Sequence, residues 1–418
     1  MTVLIAGAGI GGLTLALTCH QIGVPVKVLE AVRELRPLGV GINLQPNAVR
    51  ELLSLGLGDA LDRVGVQTRE YGLYAENGTE IWTEPRGRDA GYAWPQYSVH
   101  RGALQMALYD AVVARLGPEA VLTDARVEAF ETRGETAVAH LAGREETGAV
   151  LIGADGLHSR IRAQMFPEEG APNWAGYILW RGATRGPAFG TGASMALIGH
   201  YSRKFVTYPI SPPDPETGLS LMNWLAEIRV DPAGGWNRED WSRPGRKEDF
   251  ADAFAGFRFD WFDAPALIAA TEAVFEYPMV DRDPLPRWTE GRVTLMGDAA
   301  HVMYPTGSNG ASQAIVDARK IGRAFLDHGV GPGALAAYEA EVRPAMAKTI
   351  LANRGAGPDY MLEVVQERTG GVFDDIEAVL PHAERARMAA DYKATAGFAI
   401  ETLNASPPII PEGARIAG

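Results

Sequence analysis

Residues 3–30 read VLIAGAGIGGLTLALTCHQIGVPVKVLE, and this stretch decides the fold. An apolar run from Val3 to Ile5 enters the turn Gly7-Ala8-Gly9-Ile10-Gly11-Gly12. An apolar helical pattern follows through Gln21, and a second apolar run closes on Val28-Leu29-Glu30. Gly7, Gly9 and Gly12 keep the G-x-G-x-x-G spacing, in which the first glycine makes the tight turn, the second admits a pyrophosphate to the backbone, and the third lets the helix pack on the sheet. Glu30 follows at about 20 residues, where an acid accepts hydrogen bonds from a ribose diol. A merely structural glycine turn would leave Glu30 unexplained. Strand, glycine turn, helix, strand and acid together predict a Rossmann-like lobe that binds a dinucleotide.

Two further strand ends carry acids. Ala149-Val150-Leu151-Ile152 runs into Gly153-Ala154-Asp155-Gly156, followed by Ser159-Arg160 at a helix start; taken alone, Asp155-Gly156 reads equally as a plain turn. Residues 292–296 deliver Gly297-Asp298, then Pro305-Thr306-Gly307-Ser308-Asn309-Gly310, with a helical pattern from Ala311. A carboxylate at a strand end beside a glycine loop at a helix N-terminus suits a polar, partly anionic ligand. Gly39-Val40-Gly41-Ile42-Asn43-Leu44 is an extended glycine loop before a helix opened by Pro46-Asn47. Asn77-Gly78 between residues 71–75 and 79–83 signals a hairpin. Ser98-Val99-His100-Arg101 leads into an amphipathic helix from Leu104 to Leu116, and Arg101 at its start reads either as meeting a phosphate or a flavin edge or as an exposed capping charge.

From residue 174 the character changes. Aromatic, β-rich runs at 178–184, 194–198, 205–210 and 219–228 predict an antiparallel sheet and a second lobe. Trp180, Arg181, Tyr208, Met222 and Trp224 are its candidates to line a flat apolar pocket, with about two of the five expected to face a ligand and the rest to form core. Helical patterns at 247–255 and 264–271 follow, and a strand at 273–277 is read as returning the chain to the first lobe. Helices are expected from 333 to 354 and 359 to 404, and residues 406–418 as a loosely held tail. The expected fold class is α/β (α+β overall): a Rossmann-like lobe from 1–173 and 273–330, an inserted antiparallel-sheet lobe at 174–272, and C-terminal helices and tail at 331–418.

With 46% hydrophobic and 22% charged residues the chain is a folded globular protein, and its net charge of −13 argues against nucleic acid or an anionic membrane as main partner. One cysteine, Cys19, allows no internal disulfide. The apolar start runs straight into glycines, which reads as a first strand and not a signal peptide, and no run is long enough to span a bilayer. The expectation is a soluble, cytoplasmic protein.

GAGIGG with Glu30, GADG at 153–156 and GDAAH at 297–301, in this order, resemble the single-component (group A) FAD-dependent aromatic hydroxylases, most closely their salicylate and phenazine hydroxylase branch. The resemblance covers roughly residues 1–350. It implies FAD as cofactor, with Gly7, Gly9 and Gly12 at the pyrophosphate, Glu30 at the adenosine ribose, and Arg101 near the phosphates and ribityl chain. Val127 falls at the adenine, Asp155 where FAD and nicotinamide binding are both supported, Asp298 at the pyrophosphate–ribityl region, and Gly41, Gly310 and Ala311 at the flavin. It implies NADH or NADPH as a transient co-substrate, since no second G-x-G-x-x-G is present, and O2 and a small aromatic or N-heteroaromatic substrate, acidic or phenolic, hydroxylated through a flavin C4a-hydroperoxide. The helix N-terminus at 310–312 suits an anionic reduced flavin.

Pro305 and the aromatic sheet are read as a dry wall, and His200, Tyr201 and Tyr208 as candidate bases for a phenolic substrate. His301 is read as structural; Arg181, Arg203 and Arg229 would each suit a substrate carboxylate, though such arginines are more often surface charges, and no metal site is expected. A monomer or homodimer is expected. The same frame also serves flavin-dependent tryptophan halogenases, but those carry a Trp-x-Trp-x-Ile-Pro motif that this sequence lacks. It serves reductases of isoprenoid lipids, which want a longer and more aliphatic groove, and non-enzymatic binding proteins of the GDP-dissociation-inhibitor kind, which need no intact flavin-facing loop.

Overall fold

A computed structural model describes residues 2–231, 243–355, 357, 359–395 and 399–416, without side-chain detail for 392–395. The cofactor lobe is built on a six-stranded sheet in the order Thr289–Glu290, Val293–Leu295, Val150–Gly153, Val3–Ala6, Val26–Leu29, Val121–Leu122, parallel except for the first pair. Val3–Ala6 is buried along its whole length, as a strand covered on both faces must be. Helices Ile10–Ile22 and Gly310–His328 pack on each other against this sheet, with Leu4, Ile5, Leu13, Ile152, Ile315 and Phe325 in one continuous core. Because the sheet is parallel, the three strands preceding the glycine–acid motifs are adjacent and end at the same edge. Motifs far apart in sequence therefore open onto one cleft.

The second sheet has seven strands, ordered Val274–Asp281, Asn173–Gly186, Ser220–Arg229, Arg203–Pro209, Ser194–His200, Glu70–Tyr74, Glu80–Pro85. It is wider than the 174–272 span expected for the inserted lobe. The hairpin at 70–85 joins through parallel pairing of Ser194–His200 with Glu70–Tyr74, and Val274–Asp281 is an edge strand of this sheet and not a return to the first lobe. One face is covered by an aromatic layer that includes Phe250, Phe254 and Phe262 and by helix Ala264–Ala270. The expected helix at 247–255 is two short 3-10 turns, Lys247–Asp249 and Ala251–Phe254. The other face is roofed by helix Tyr360–Thr369, whose Met361, Leu362 and Val365 pack on Leu73, Met195 and Leu197, with Leu380 and Ala389 from the segments beyond it.

The tail departs from the loosely held expectation. Ile410 is buried in the cofactor-lobe core, and Ile416 N–H donates to the Ile22 carbonyl at 3.0 Å. Arg50 donates to Ser406 Oγ at 2.8 Å, so the C-terminal arm crosses from the roof of one lobe back to the helices of the other. None of the described helices is long and apolar enough to cross a membrane.

Candidate active site

The glycine turn is shaped by its neighbours. A Cβ on Gly12 would stand 2.0 Å from the Gly7 carbonyl oxygen, and one on Gly7, whose φ is +106°, 2.5 Å from the Ala154 carbonyl oxygen. Gly9 has nothing within 4 Å on that side, leaving its backbone open to the cleft. Glu30 fastens the turn: its Oε2 accepts from Ala8 N–H at 2.7 Å and its Oε1 from Val32 N–H at 2.8 Å. Gln105, which sequence reasoning missed, donates to the Ala8 carbonyl at 2.8 Å. Gly7, Gly9, Glu30, Arg101, Gln105, Val127 and Asp155 line one continuous cleft.

Asp155 has two oxygens with different duties. Oδ2 accepts from Arg160 N–H at 2.8 Å, at the start of helix Arg160–Met165, whereas the buried Oδ1 has no partner. Burial pushes this carboxyl above its ordinary range, against the hydrogen bonds from Ser159 and the helix start that lower it.

The cleft continues past Arg101 to Gly41, Asp298, Pro305, Gly310 and Ala311. Asp298 is exposed to it at the strand end, while its neighbours Gly297 and Ala299 are buried. Helix Gly310–His328 has no side-chain cap, so its first-turn N–H groups face the cleft unclaimed, and a Cβ at Gly310 would meet nothing within 4 Å. A strand-end acid, an open glycine backbone, an uncapped helix start and the unpartnered Asp155 Oδ1 fit a long dinucleotide with an anionic middle.

His301 lies below this loop. Its Nε2 is 2.6 Å from Asp317 Oδ2, which also accepts from Gly297 N–H at 2.8 Å, and its ring packs on Trp288. Burial lowers its pKa, but the Asp317 charge and hydrogen bond outweigh that and hold it above the ordinary histidine value. It braces the strand end and does not face the cleft.

The antiparallel sheet supplies a second, mainly apolar pocket that meets the first at Asn43, Arg181, Tyr208, Pro305 and Ser308. Successive strand residues face opposite ways, so only one parity can line it. Arg181, Asn223, Leu225, Glu227, Lys204, Val206 and Tyr208 have that parity. Trp180, Met222 and Trp224 have the other. They are corrected here to core residues: Trp180 stacks on Phe250 at 5.1 Å, Met222 is fully buried in the same aromatic layer, and the Trp224 Nε1–H donates to Thr271 Oγ1 at 2.8 Å. His200 is corrected too. It sits at a strand end 3.1 Å from Glu76 and outside the pocket lining, so it has no reach to a bound ring. Tyr201 lies there as well, its ring 6.3 Å from that of Tyr360.

Two of the five sheet candidates, Arg181 and Tyr208, line the pocket. Burial pushes the Tyr208 phenol up to about 12, so at neutral pH it is a neutral hydrogen-bonding group and not an ionised base. Arg181 donates to the Gly41 carbonyl at 2.8 Å, and Gly41 N–H donates to Asn223 Oδ1 at 2.7 Å. Gly41 therefore ties the flavin-side strand Gly41–Leu44 to two strands of the sheet, and a Cβ there would come within 2.6 Å of Asn223 Cβ. Sequence reasoning missed Lys204, Glu227 and Asp359. Lys204 Nζ stands 2.6 Å from Asp359 Oδ2 and 3.2 Å from Glu227 Oε1, and Asp359 comes from the C-terminal arm. Tyr71 and Trp82, from the 70–85 hairpin, and Arg86, which directly follows it, were missed because that segment was assigned to the other lobe.

A cleft fit for a dinucleotide that meets a second, mainly apolar pocket beneath a sheet is the arrangement of an oxidoreductase that brings a bound cofactor to a small substrate. The chain belongs to the family whose model is described as FAD binding domain, matched over residues 1–174 and 276–353. It is 44% identical over 362 residues to the phenazine 1,6-dicarboxylic acid hydroxylase of Lysobacter antibioticus, covering 84% of this chain and 89% of that one. With a salicylate hydroxylase of Pseudomonas putida it shares 31% over 396 residues, 86% of each. In fold it is similar to HpxO of Klebsiella pneumoniae complexed with FAD and uric acid, with a TM-score of 0.74, 23% identity and 97% of both chains covered. The protein is a group A FAD-dependent aromatic hydroxylase of the salicylate and phenazine hydroxylase-like branch.

Proposed function

We propose that the enzyme hydroxylates an aromatic or N-heteroaromatic acid or phenol, holding the ionised group at Arg181 with the ring across the mouth of the cofactor cleft. The observation that carries this reading is Arg181 itself. It is half-buried at the junction of the two cavities, no carboxylate pairs with it among the described residues, and its Nε–H is buried without a partner. A cation partly withdrawn from water without a counter-ion carries a desolvation cost, and an anionic substrate offsets it. Relatives named for phenazine 1,6-dicarboxylic acid and 6-hydroxynicotinate support an acidic ring substrate.

Bound FAD would supply the redox chemistry, with NADH or NADPH as reductant and O2 as the source of the oxygen placed on the ring. Gly7, Gly9, Gly12 and the helix start at Gly310–Ala311 would hold its phosphates and ring, Glu30 its adenosine ribose, Val127 its adenine, Arg101 and Asp298 its ribityl–phosphate region, and Asp155 would support both FAD and the nicotinamide coenzyme. The residues of the pocket orient and shield. Neutral Tyr208, beside Arg181 and Asn43, hydrogen-bonds the substrate's oxygen and can pass a proton from it. Met195, Leu197, Val206, Leu225 and Met279 keep water from the ring, and Pro305 closes the wall between the cavities. The protein is read as cytoplasmic, a monomer or homodimer; its one cysteine, free and buried, asks for no oxidising compartment.

The test is Arg181→Met in the holoenzyme. Expected is a rise of at least about tenfold in KM for aromatic acids, with FAD content unchanged and hydroxylated product still formed at saturation. An unchanged KM across a panel of acids and phenols removes the proposed anchor.

A further inference from the structure

The pocket holds more unmatched hydrogen-bond donors than one anionic group at Arg181 can use. Seven buried polar atoms lining it have no partner: Asn43 Nδ2, Gln45 Oε1, Tyr71 Oη, Trp82 Nε1, Arg86 Nε, Arg181 Nε and Asn223 Nδ2. Five of these are donors only, Tyr71 Oη donates or accepts, and Gln45 Oε1 alone is an acceptor. Buried donors left unpaired cost free energy, so such a surplus marks where a ligand's acceptors belong.

The donors form two groups. Asn43, Arg181 and Asn223 gather at the cofactor cleft, the first two lining both cavities and the third bonded to Gly41. Tyr71 and Trp82 belong to the 70–85 hairpin at the opposite edge of the sheet, and Arg86 directly follows it. From the strand of Arg181 to that of Tyr71 is four steps in sheet order and from that of Asn223 three, about 19 Å and about 14 Å at ~4.8 Å per strand. Apolar Met195, Leu197 and Val206 lie on the two strands between. The hairpin group is preorganised: the Arg86 guanidinium lies over the Tyr71 ring at 4.3 Å from its centroid, and Arg86 is held by Glu84 at 2.8 Å. Tyr71 is 6% exposed and Trp82 9%, so neither hydroxyl nor indole N–H has bulk water to turn to. Burial and the nearby Asp359 charge keep the Tyr71 phenol protonated, which preserves its O–H as a donor.

We propose that Tyr71, Trp82 and Arg86 form a second acceptor-binding subsite, which reads a carboxylate or carbonyl on the substrate ring system remote from the group held by Arg181. The subsite rests on the reading of Arg181 as anchor of an acidic substrate. It selects fused two- or three-ring systems with acceptors at both ends over single-ring acids, which are too short to reach across the apolar middle. Asp359 and Lys204, paired between the sheet and the C-terminal arm, close the pocket beside it and limit how far such a ring system extends.

The experiment titrates the FAD-loaded enzyme with phenazine-1,6-dicarboxylic acid and, separately, phenazine-1-carboxylic acid, reading dissociation constants from the perturbed flavin absorbance. Expected is diacid binding at least tenfold tighter than monoacid binding. Tyr71→Phe, which removes only the hydroxyl, and Trp82→Phe, which removes the indole N–H, should each shrink that ratio to threefold or less, with the monoacid constant within twofold of wild type. Equal affinity of wild type for both acids overturns the subsite, as does weakening of both acids in parallel by the two variants. If the monoacid also fails to bind, the reading of Arg181 falls together with the subsite; monoacid binding without a diacid preference removes the subsite alone.

Discussion

The first and third glycines of the fingerprint serve the protein, and the middle one serves the ligand, so Gly12→Ala and Gly9→Ala should fail in opposite ways. At Gly12 an added Cβ lies 2.0 Å from the Gly7 carbonyl oxygen, where real Cβ atoms stay beyond 3.0 Å, so helix Ile10–Ile22 must move off the strand by about 1 Å. That helix packs against Gly310–His328 in the central core, and overpacking of this kind costs about 1–3 kcal/mol. At about 2–4 °C per kcal/mol for a domain of roughly 200 residues, apo Gly12→Ala should melt several degrees below wild type. Gly9 is different. Its φ of −74° and ψ of −178° are open to any residue, and its Cβ would meet nothing within 4 Å. Apo Gly9→Ala should melt at or slightly above the wild-type temperature, because alanine narrows the unfolded ensemble by about 0.4–1 kcal/mol. In the proposed cofactor placement the same methyl would stand where the pyrophosphate approaches the backbone, and FAD affinity should fall at least about tenfold, about 1.4 kcal/mol. Differential scanning fluorimetry of the apo proteins and FAD titration by flavin fluorescence measure the two effects separately. Gly9→Ala with wild-type FAD affinity, or with the melting temperature of Gly12→Ala, would falsify the division of labour.

Two further outcomes test the packing around the site. Arg319 and Glu51 form an ion pair with both side chains fully buried, so Glu51→Ala should cost about 3–5 kcal/mol in urea unfolding, whereas Asp327→Ala, which breaks the exposed pair with Arg323, should cost under about 1 kcal/mol. His301 has a folded pKa held above its unfolded value by Asp317, so its contribution is complete below about pH 6.5 and is lost as pH rises through the raised folded value. In melts from about pH 5.5 to about pH 9, the advantage of wild type over His301→Gln should therefore be largest at the acid end, and an advantage that grows with pH contradicts the pairing.

The cofactor lobe was legible because its signals are local. Each of the three motifs lies within a few residues of an apolar strand, and a parallel sheet forces such strand ends onto one edge. Glu30, Arg101, Val127, Asp155 and Asp298 line the cleft that the glycines open. The pocket was legible only in part, through Arg181, Tyr208 and Pro305, for a geometric reason. Alternation along a strand says that Trp224 and Leu225 face opposite ways, but not which way the ligand lies, and both faces of this sheet are covered. Choosing the aromatic residues favoured the wrong face. The aromatic face is the sealed one, where Trp224 satisfies its only polar atom on Thr271. The ligand face mixes Arg181, Asn223, Lys204 and Glu227 with aliphatic residues, and single residues of that kind read from sequence as surface.

Distance along the chain hid the rest. Tyr71, Trp82 and Arg86 reach the pocket only because Glu70–Tyr74 pairs with Ser194–His200, and Asp359 only because the C-terminal arm folds back over the sheet. A pocket assembled from such separated segments can change its ligand one position at a time while the cofactor motifs stay as they are. Gly41 is where that independence ends. Its N–H is held by Asn223 and its carbonyl by Arg181, so one residue of the flavin-side strand is hydrogen-bonded to two side chains of the ligand face. Under the proposed anchoring, a substrate carboxylate that drew on Arg181 would act on the residue whose carbonyl Arg181 holds, beside the cofactor cleft.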